Sequence, residues 1–219
     1  MGKNSWTAGD QMDLNSIQRR IENDGTIMGE DMAMKSSVLI PLIPKDDTWD
    51  ILLEVRSKRL SRQPGDVCFP GGRSEKRDAT LRETAIRETC EELGVPRESI
   101  KIIGRMGTCI ATSELFIYPF VGVIESGTVP VPNPEEVEKI FTIPLPWLMK
   151  QMPEKYTLSL SADIDQDFPF ERIVAGHHYS FRGRKMLETF YDYKGRTIWG
   201  LTARILEHFV SLMNHRMFE

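Results

Sequence analysis

No stretch of this chain approaches the roughly 20 consecutive apolar residues that a bilayer-crossing helix needs, so no membrane partner is expected. Cysteine is scarce. The three present, Cys68, Cys90 and Cys109, are odd in number and form no CxxC pair, which argues against a disulfide framework or a zinc site. They read as small buried apolar residues of a reducing compartment. Positive charge is not in excess either: 28 Lys and Arg face 32 Asp and Glu, a net charge of −4, so nucleic acid is not an expected partner. The polar stretch from Met1 to Asp13 holds no apolar run suited to a signal peptide, and the final Met217-Phe218-Glu219 carries no recognised address. A cytoplasmic location is expected by elimination. Internal repeats, low-complexity tracts and long linkers are also lacking.

What remains is an ordinary globular chain of 219 residues, long enough to bury about 70% of its unfolded surface around one core. Leu14, Ile17 and Ile21 share helical spacing, with Asn23-Asp24-Gly25 as a stop. They suggest an N-terminal extension with a short helix over 1–35, a main domain over 36–213 and a tail over 214–219. Within the main domain, Ser36 to Pro44 and Asp50 to Ser57 read as strands joined by a charged turn. A basic loop, a short strand at Val67 to Phe69 and a Pro70-Gly71-Gly72 turn lead into a helix from about Ala79 to Leu93. Further strands are expected at Ile100 to Ile110, Leu115 to Glu125, Val137 to Ile143, Phe170 to Arg182 and Met186 to Tyr193. Pro144 is expected to open a short helix, and a last helix spans about Ile198 to Met213. This element order predicts an α/β chain, a mixed β-sheet sandwiched between helices in α/β/α layers.

Chemistry concentrates on the helix before Gly94. At about 100° per residue, Glu88, Glu91 and Glu92 fall within an arc of roughly 100°, with Ala79, Ile86, Cys90 and Leu93 pointing the other way. Like charges at these spacings cost about a few tenths of a kcal/mol per pair, and the helix C-terminus disfavours anions further. A bound dication reverses the penalty, and carboxylate oxygens are what Mg²⁺ and Mn²⁺ prefer. The bland alternative is a solvated acidic face. Against it stand Gly71-Gly72, which allow a sharp turn close to a ligand and a carbonyl for the metal. Arg87, next to Glu88, offers a fork that orients a neighbouring carboxylate.

The segment Arg87-Glu88-x-x-Glu91-Glu92-x-Gly94 resembles the second half of the Nudix hydrolase box residue for residue. The first half is one residue longer than the common box, leaving Glu75 and Asp78 as candidates for its spaced acid. In that extra residue, and in Gly65-Asp66-Val67-Cys68-Phe69-Pro70-Gly71-Gly72 upstream, the chain is similar to the coenzyme A pyrophosphatase branch. Pro119-Phe120-Val121-Gly122, Asn133-Pro134-Glu135-Glu136-Val137, Pro144-Leu145 and Ile198-Trp199-Gly200-Leu201-Thr202-Ala203 look like later landmarks of that branch. Where the branch carries a second Arg and a His, this chain has Ser61 and Gln63, with Arg59 and Arg62 adjacent.

The resemblance implies the Nudix fold and metal-assisted hydrolysis of a pyrophosphate bond in a small-molecule nucleotide. By that resemblance coenzyme A or acyl-CoA would yield 3′,5′-ADP and 4′-phosphopantetheine, free or acylated. ADP-ribose or a dinucleoside polyphosphate is the alternative substrate, and a non-catalytic nucleotide sensor the alternative role. Glu88 and Glu92 are the first metal ligands for Mg²⁺ or Mn²⁺, with Gly72 beside them and Glu91 as a shared ligand or general base.

Glu136, in a loop before a strand, corresponds to a position where Nudix proteins often carry a further acid, a ligand or base. Its bland reading is a surface or capping residue. Arg56, Lys58, Arg59 and Arg62 precede the glycine turn and are candidates for phosphate capture, including a 3′-phosphate, against the bland reading of a solvated loop. His177 and His178, adjacent on an expected strand, face opposite ways and read as structural, as do His208 and His215. Trp199 is expected in the core. A homodimer is the one assembly left open.

Overall fold

Ile51-Leu52-Leu53 and Phe116 to Val121 are apolar at consecutive positions, the pattern of strands covered on both faces. In the computed structural model they lie at the centre of a mixed sheet. The structure describes residues 14–22 and 27–214, apart from the side chains of Ser16, Ile17 and Arg20. The polar N-terminal stretch, the Asn23-Asp24-Gly25 stop, the side chain of Ile17 and His215 with the rest of the tail lie outside the described residues.

Helix α1 (Leu14–Glu22) comes first, with Leu14 and Ile21 exposed. Strands β1 (Met34–Lys45) and β2 (Thr48–Arg56) form a hairpin, followed by β3 (Val67–Cys68) and β4 (Gly71–Arg73). Then come α2 (Leu81–Leu93), β5 (Ile100–Arg105), β6 (Cys109–Thr112), β7 (Leu115–Ile124) and β8 (Val137–Pro144). The sheet runs β3-β2-β1-β7-β5, with β4 on β1, β6 on β7 and β8 on β2. Among the described strands only β1 and β7 pair in parallel, from Met34 opposite Leu115 to Leu42 opposite Val123. The chain ends in α3 (Leu145–Leu148), β9 (Glu154–Leu160), β10 (Arg184–Tyr193), β11 (Arg196–Trp199) and α4 (Gly200–Met213). Strands β11, β10 and β9 make a second, small antiparallel sheet.

Alternation along the central strands builds two cores. Leu39, Leu52, Phe116, Tyr118 and Phe120 meet Ala85, Ile86 and Leu93 of α2. Ile40, Ile51, Leu53 and Val55 meet Ile205, Leu206 and Phe209 of α4 on the other face, with Tyr191 and Ile198 of the small sheet. The expected α/β/α layering is therefore present, and both faces of the central strands exclude water.

Several local expectations are corrected. Gly71-Gly72 is no free turn: with Arg73 it forms β4, paired with Ser36 to Val38 of β1. The expected run from Ile100 to Ile110 breaks into β5 and β6, which pair with different ends of β7. Residues 170–182 are not a strand but carry two 3₁₀ turns, Phe170–Arg172 and Gly176–His178. With β11 on one side, β10 pairs on the other with β9, whose Tyr156, Leu158 and Leu160 alternate with polar residues. His177 and His178 thus sit in a turn, and His177 stacks on Phe170. Helix α2 starts at Leu81, so Ala79 is exposed before the cap and takes no part in the apolar stripe. Trp199 is not core: it ends β11, 42% exposed, and stacks on Phe190 at the wall of a cleft of about 540 Å³. The three cysteines are free and half-buried rather than fully buried.

Candidate active site

The site begins where β4 crosses α2. Gly71 has φ +154°, and a Cβ there would lie 2.3 Å from the Ser37 carbonyl oxygen, so only glycine lets β4 lie this close to β1. Its N–H donates to Glu92 Oε2 at 2.8 Å. A Cβ on Gly72 would sit 2.4 Å from the carboxyl carbon of Glu88. The glycine pair thus admits two carboxylates from one helix into contact with backbone.

Helix α2 is anchored at both ends. Thr80 caps its N-terminus, accepting from the Glu83 N–H at 3.2 Å, and the Gly94 N–H closes the C-terminus on the Cys90 carbonyl. Arg87 forms a two-pronged ion pair with Asp78, Nε to Oδ1 at 2.8 Å and Nη2 to Oδ2 at 2.9 Å, in which the Asp78 side chain is only 4% exposed. Thr84 Oγ1 and the Glu75 N–H also donate to Asp78. Hydrogen bonds from Arg87 hold the Asp78 carboxyl well below its usual range, and the same bonds raise the guanidinium. Of the two candidate acids for the first half of the motif, Asp78 is thus the one locked to the helix. Glu75 pairs with Arg77 nearer solvent. Arg87 further bonds Glu88 at 2.8 Å, Glu91 at 3.0 Å and the Arg73 carbonyl at 3.1 Å, tying the approach to α2 onto the helix.

The helical arc is as expected, but the three glutamates have different surroundings. Glu92 is buried, 5% exposed, and Glu88 is mostly buried. Glu91 is exposed and committed to Arg77 and Arg87. Burial pushes the carboxyls of Glu92 and Glu88 up; the charge of Glu54 adds to the first, while Arg87 partly offsets the second.

Glu54 is the residue that motif reading missed. It lies on β2 opposite Cys68, 1% exposed, and its charge bears on Glu92 and on Cys68. Burial first, partly relieved by a hydrogen bond from the Cys68 thiol at 3.2 Å, pushes it up to about 7. A signal was available: Glu54 is a lone acid inside Ile51-Leu52-Leu53-Glu54-Val55, a run otherwise apolar on both faces. Glu136 also joins the group, since its charge bears on Glu54, Glu88 and Glu92. Its backbone carbonyl accepts from the Ser57 N–H at 2.8 Å.

The basic loop is stitched to the loop that carries Glu136. Ser57 Oγ donates to the Pro134 carbonyl, and Arg59 pairs with Glu135. Arg56 donates to the Arg62 carbonyl at 3.3 and 3.4 Å, while Lys58 and Arg62 are exposed. Arg56 lies near enough to Glu54 to offset part of its charge, so one end of the loop borders the carboxylates.

Among the described residues no three His, Cys, Asp or Glu side chains stand in an arrangement that could hold a metal ion. The donor chemistry nevertheless fits a hard divalent cation. Carboxylates and a backbone carbonyl are suitable ligands, and Glu54 Oε2 is buried without a hydrogen-bond partner. No described helix is long and apolar enough to cross a membrane.

Comparison with known proteins follows the same segments. A NUDIX domain model matches residues 34–160. Nudix hydrolase NudL of Photorhabdus laumondii is 33% identical over 174 residues, covering 78% of this chain and 80% of that one. Nudix hydrolase 3 of Caenorhabditis elegans is 34% identical over 188 residues, 84% of this chain and 75% of that one. The mouse peroxisomal coenzyme A diphosphatase NUDT7 is 31% identical over 134 residues, 61% of this chain and 56% of that one.

Proposed function

This chain belongs to the Nudix hydrolase family, and on that premise we propose that it is a divalent-metal-dependent hydrolase of coenzyme A or acyl-CoA, releasing 3′,5′-ADP and 4′-phosphopantetheine, free or acylated. The observation that carries the reading is the contact between β4 and α2. Gly71 donates to Glu92 and Gly72 makes room for Glu88, so two carboxylates meet the glycine strand at one place. The choice of substrate is supported by the likeness to the mouse coenzyme A diphosphatase and by the basic loop from Arg56 to Arg62. The compartment we propose is the cytoplasm, in keeping with three free cysteines.

In this reading Glu88, Glu92 and the Gly72 carbonyl hold Mg²⁺ or Mn²⁺. When bound, the ion supplies neutralisation of diphosphate charge and a more acidic water. The oxygen of water attacks one phosphorus, the anhydride P–O bond breaks, and the proton goes to a carboxylate. Glu136 is favoured as that base, because its charge acts on the buried carboxylates while Glu91 is committed to Arg77 and Arg87. Glu91 then serves as a shared outer ligand. Arg87 is a positioning residue, fixing the chain before α2 through Asp78. Arg56, Lys58, Arg59 and Arg62 neutralise the substrate phosphates, including the 3′-phosphate.

Incubating coenzyme A with the purified chain and Mg²⁺, then identifying products by mass spectrometry, tests reaction and substrate together. The expected pair is 3′,5′-ADP and 4′-phosphopantetheine. Far faster turnover of ADP-ribose would transfer the substrate assignment. Ligand binding without product under any divalent metal would make the chain a nucleotide-binding module instead.

A further inference from the structure

We propose that Glu54 is a further carboxylate ligand of the divalent-cation site, supplied by the sheet rather than by the glutamate-bearing helix. The inference rests on the metal-dependent reading above and adds a residue from outside the helical motif. Three features of the chain lead to it.

The first is an unmet polar atom. Glu54 is 1% exposed on β2; its Oε1 accepts from the Cys68 thiol at 3.2 Å, and its Oε2 is buried with no hydrogen-bond partner among the described residues. Burying a carboxylate oxygen without a partner is strongly unfavourable unless a ligand completes it. The second is the company it keeps. The charges of Glu92, Glu88 and Glu136 act on the same small region; Arg87 pairs with Glu88, and Arg56 turns its Nε and Nη2 to the Arg62 carbonyl, so neither is shown bonded to the Glu54 carboxylate. Buried like charges without a fixed counter-ion between them are costly to the fold, and a dication removes the cost in one step. The third is direction. Glu54 shares the α2-facing side of β2 with Leu52, whereas Leu53 and Val55 pack beneath α4. The Cys68 thiol holds one oxygen in place and leaves the other available.

Two carboxylates from α2 and one from the sheet make a stiffer site than one helix face does, because α2 and β2 are locked together by the core beneath them. A ligand set that spans two elements also links metal binding to their packing, so the ion stabilises the fold by mass action.

The test is Mn²⁺ binding to the purified full chain, followed by the free-ion signal in electron paramagnetic resonance, with melting temperature recorded with and without Mn²⁺. Glu54→Gln is expected to weaken Mn²⁺ binding at least about tenfold, as a lost ligand does. It is also expected to raise the melting temperature of the metal-free chain, because it removes one of the repelling charges. A purely structural Glu54 would lower that temperature and leave Mn²⁺ affinity alone, and this result overturns the proposal. Glu135→Gln, which removes an exposed charge paired with Arg59, controls for long-range electrostatics and should change affinity less than twofold. Should Glu54→Gln fail to fold, Glu54→Asp keeps the charge but withdraws it by one methylene. The same loss of affinity is expected there, and undiminished affinity again overturns the proposal. If Glu88→Gln weakens Mn²⁺ binding while both Glu54 variants bind as the parent does, only this inference falls. If the parent chain binds no Mn²⁺, the metal-dependent reading falls with it.

Discussion

The segment from Val67 to Gly94 and the segment from Glu154 to Tyr193 differ in how they hold their shape. The first is short-range and crowded: a capped helix, a glycine strand pressed on β1, and a buried ion pair between Asp78 and Arg87 nine residues apart. The second is long-range and open. Every residue of β9 is exposed, and β9 meets β10 across an intervening stretch of more than 20 residues whose only regular elements are two 3₁₀ turns. Buried charges bind the first segment to one arrangement, because any other would strand them. Exposed strand residues constrain the second far less.

Four perturbations separate these regions. The largest effect is expected from Glu92→Gln, which should lower kcat by orders of magnitude while circular dichroism shows an unchanged fold. Retained turnover would remove Glu92 from the chemistry. Next is Asp78→Ala, which leaves Arg87 in its partly buried place without its main partner. Urea denaturation should show a loss of about 3–5 kcal/mol, the usual cost of breaking a buried pair. A loss below about 1 kcal/mol would place Arg87 on the surface in practice.

The third perturbation is pH, and the site answers it in two opposite senses. Burial raises the Glu54 carboxyl from 4.5 to about 7, so the folded metal-free chain holds that proton more tightly than the unfolded one. The corresponding stability is full below the unfolded value and is lost as pH rises through about 7. Asp78 is depressed by Arg87, so its contribution is full above the unfolded value of about 4 and is lost as pH falls through the folded one. Thermal melts in chelator should therefore decline on the alkaline side, with Glu54→Gln flattening that limb and Asp78→Asn the acid one. Added Mg²⁺ should restore the alkaline side. The smallest effect is reserved for the open region: Leu158→Ser on β9 should change stability by less than about 0.5 kcal/mol, while Leu53→Ala in the core costs about 2–5 kcal/mol. Comparable losses at both positions would erase the contrast.

The same contrast explains what was legible in the residues. The hairpin β1–β2, helix α2 with its stop at Gly94, and the short helix after Pro144 follow from local periodicity and cap chemistry, which act over a few residues. Strand β9 is easily passed over although Tyr156, Leu158 and Leu160 alternate with polar residues, because the run is short, sits between polar stretches and has no buried face; pairing with β10 secures it. Trp199 misled for a related reason. A large aromatic residue ordinarily belongs inside, but β11 carries this one out to the wall of a cleft, where Phe190 shields one side of the ring.

The spacing of Arg87, Glu88, Glu91, Glu92 and Gly94 by itself determined the family motif and its angular spread about the helix axis, because both depend only on rise and turn per residue. Tertiary packing decided which carboxylates are buried and what else meets them. Glu92 turns to the Gly71 N–H, Glu91 to two arginines, and Glu54 arrives from a strand 38 residues earlier in the chain. Helical periodicity sets direction around one axis; only the sheet laid against that axis sets the solvent, the charge and the neighbours each carboxylate finds there.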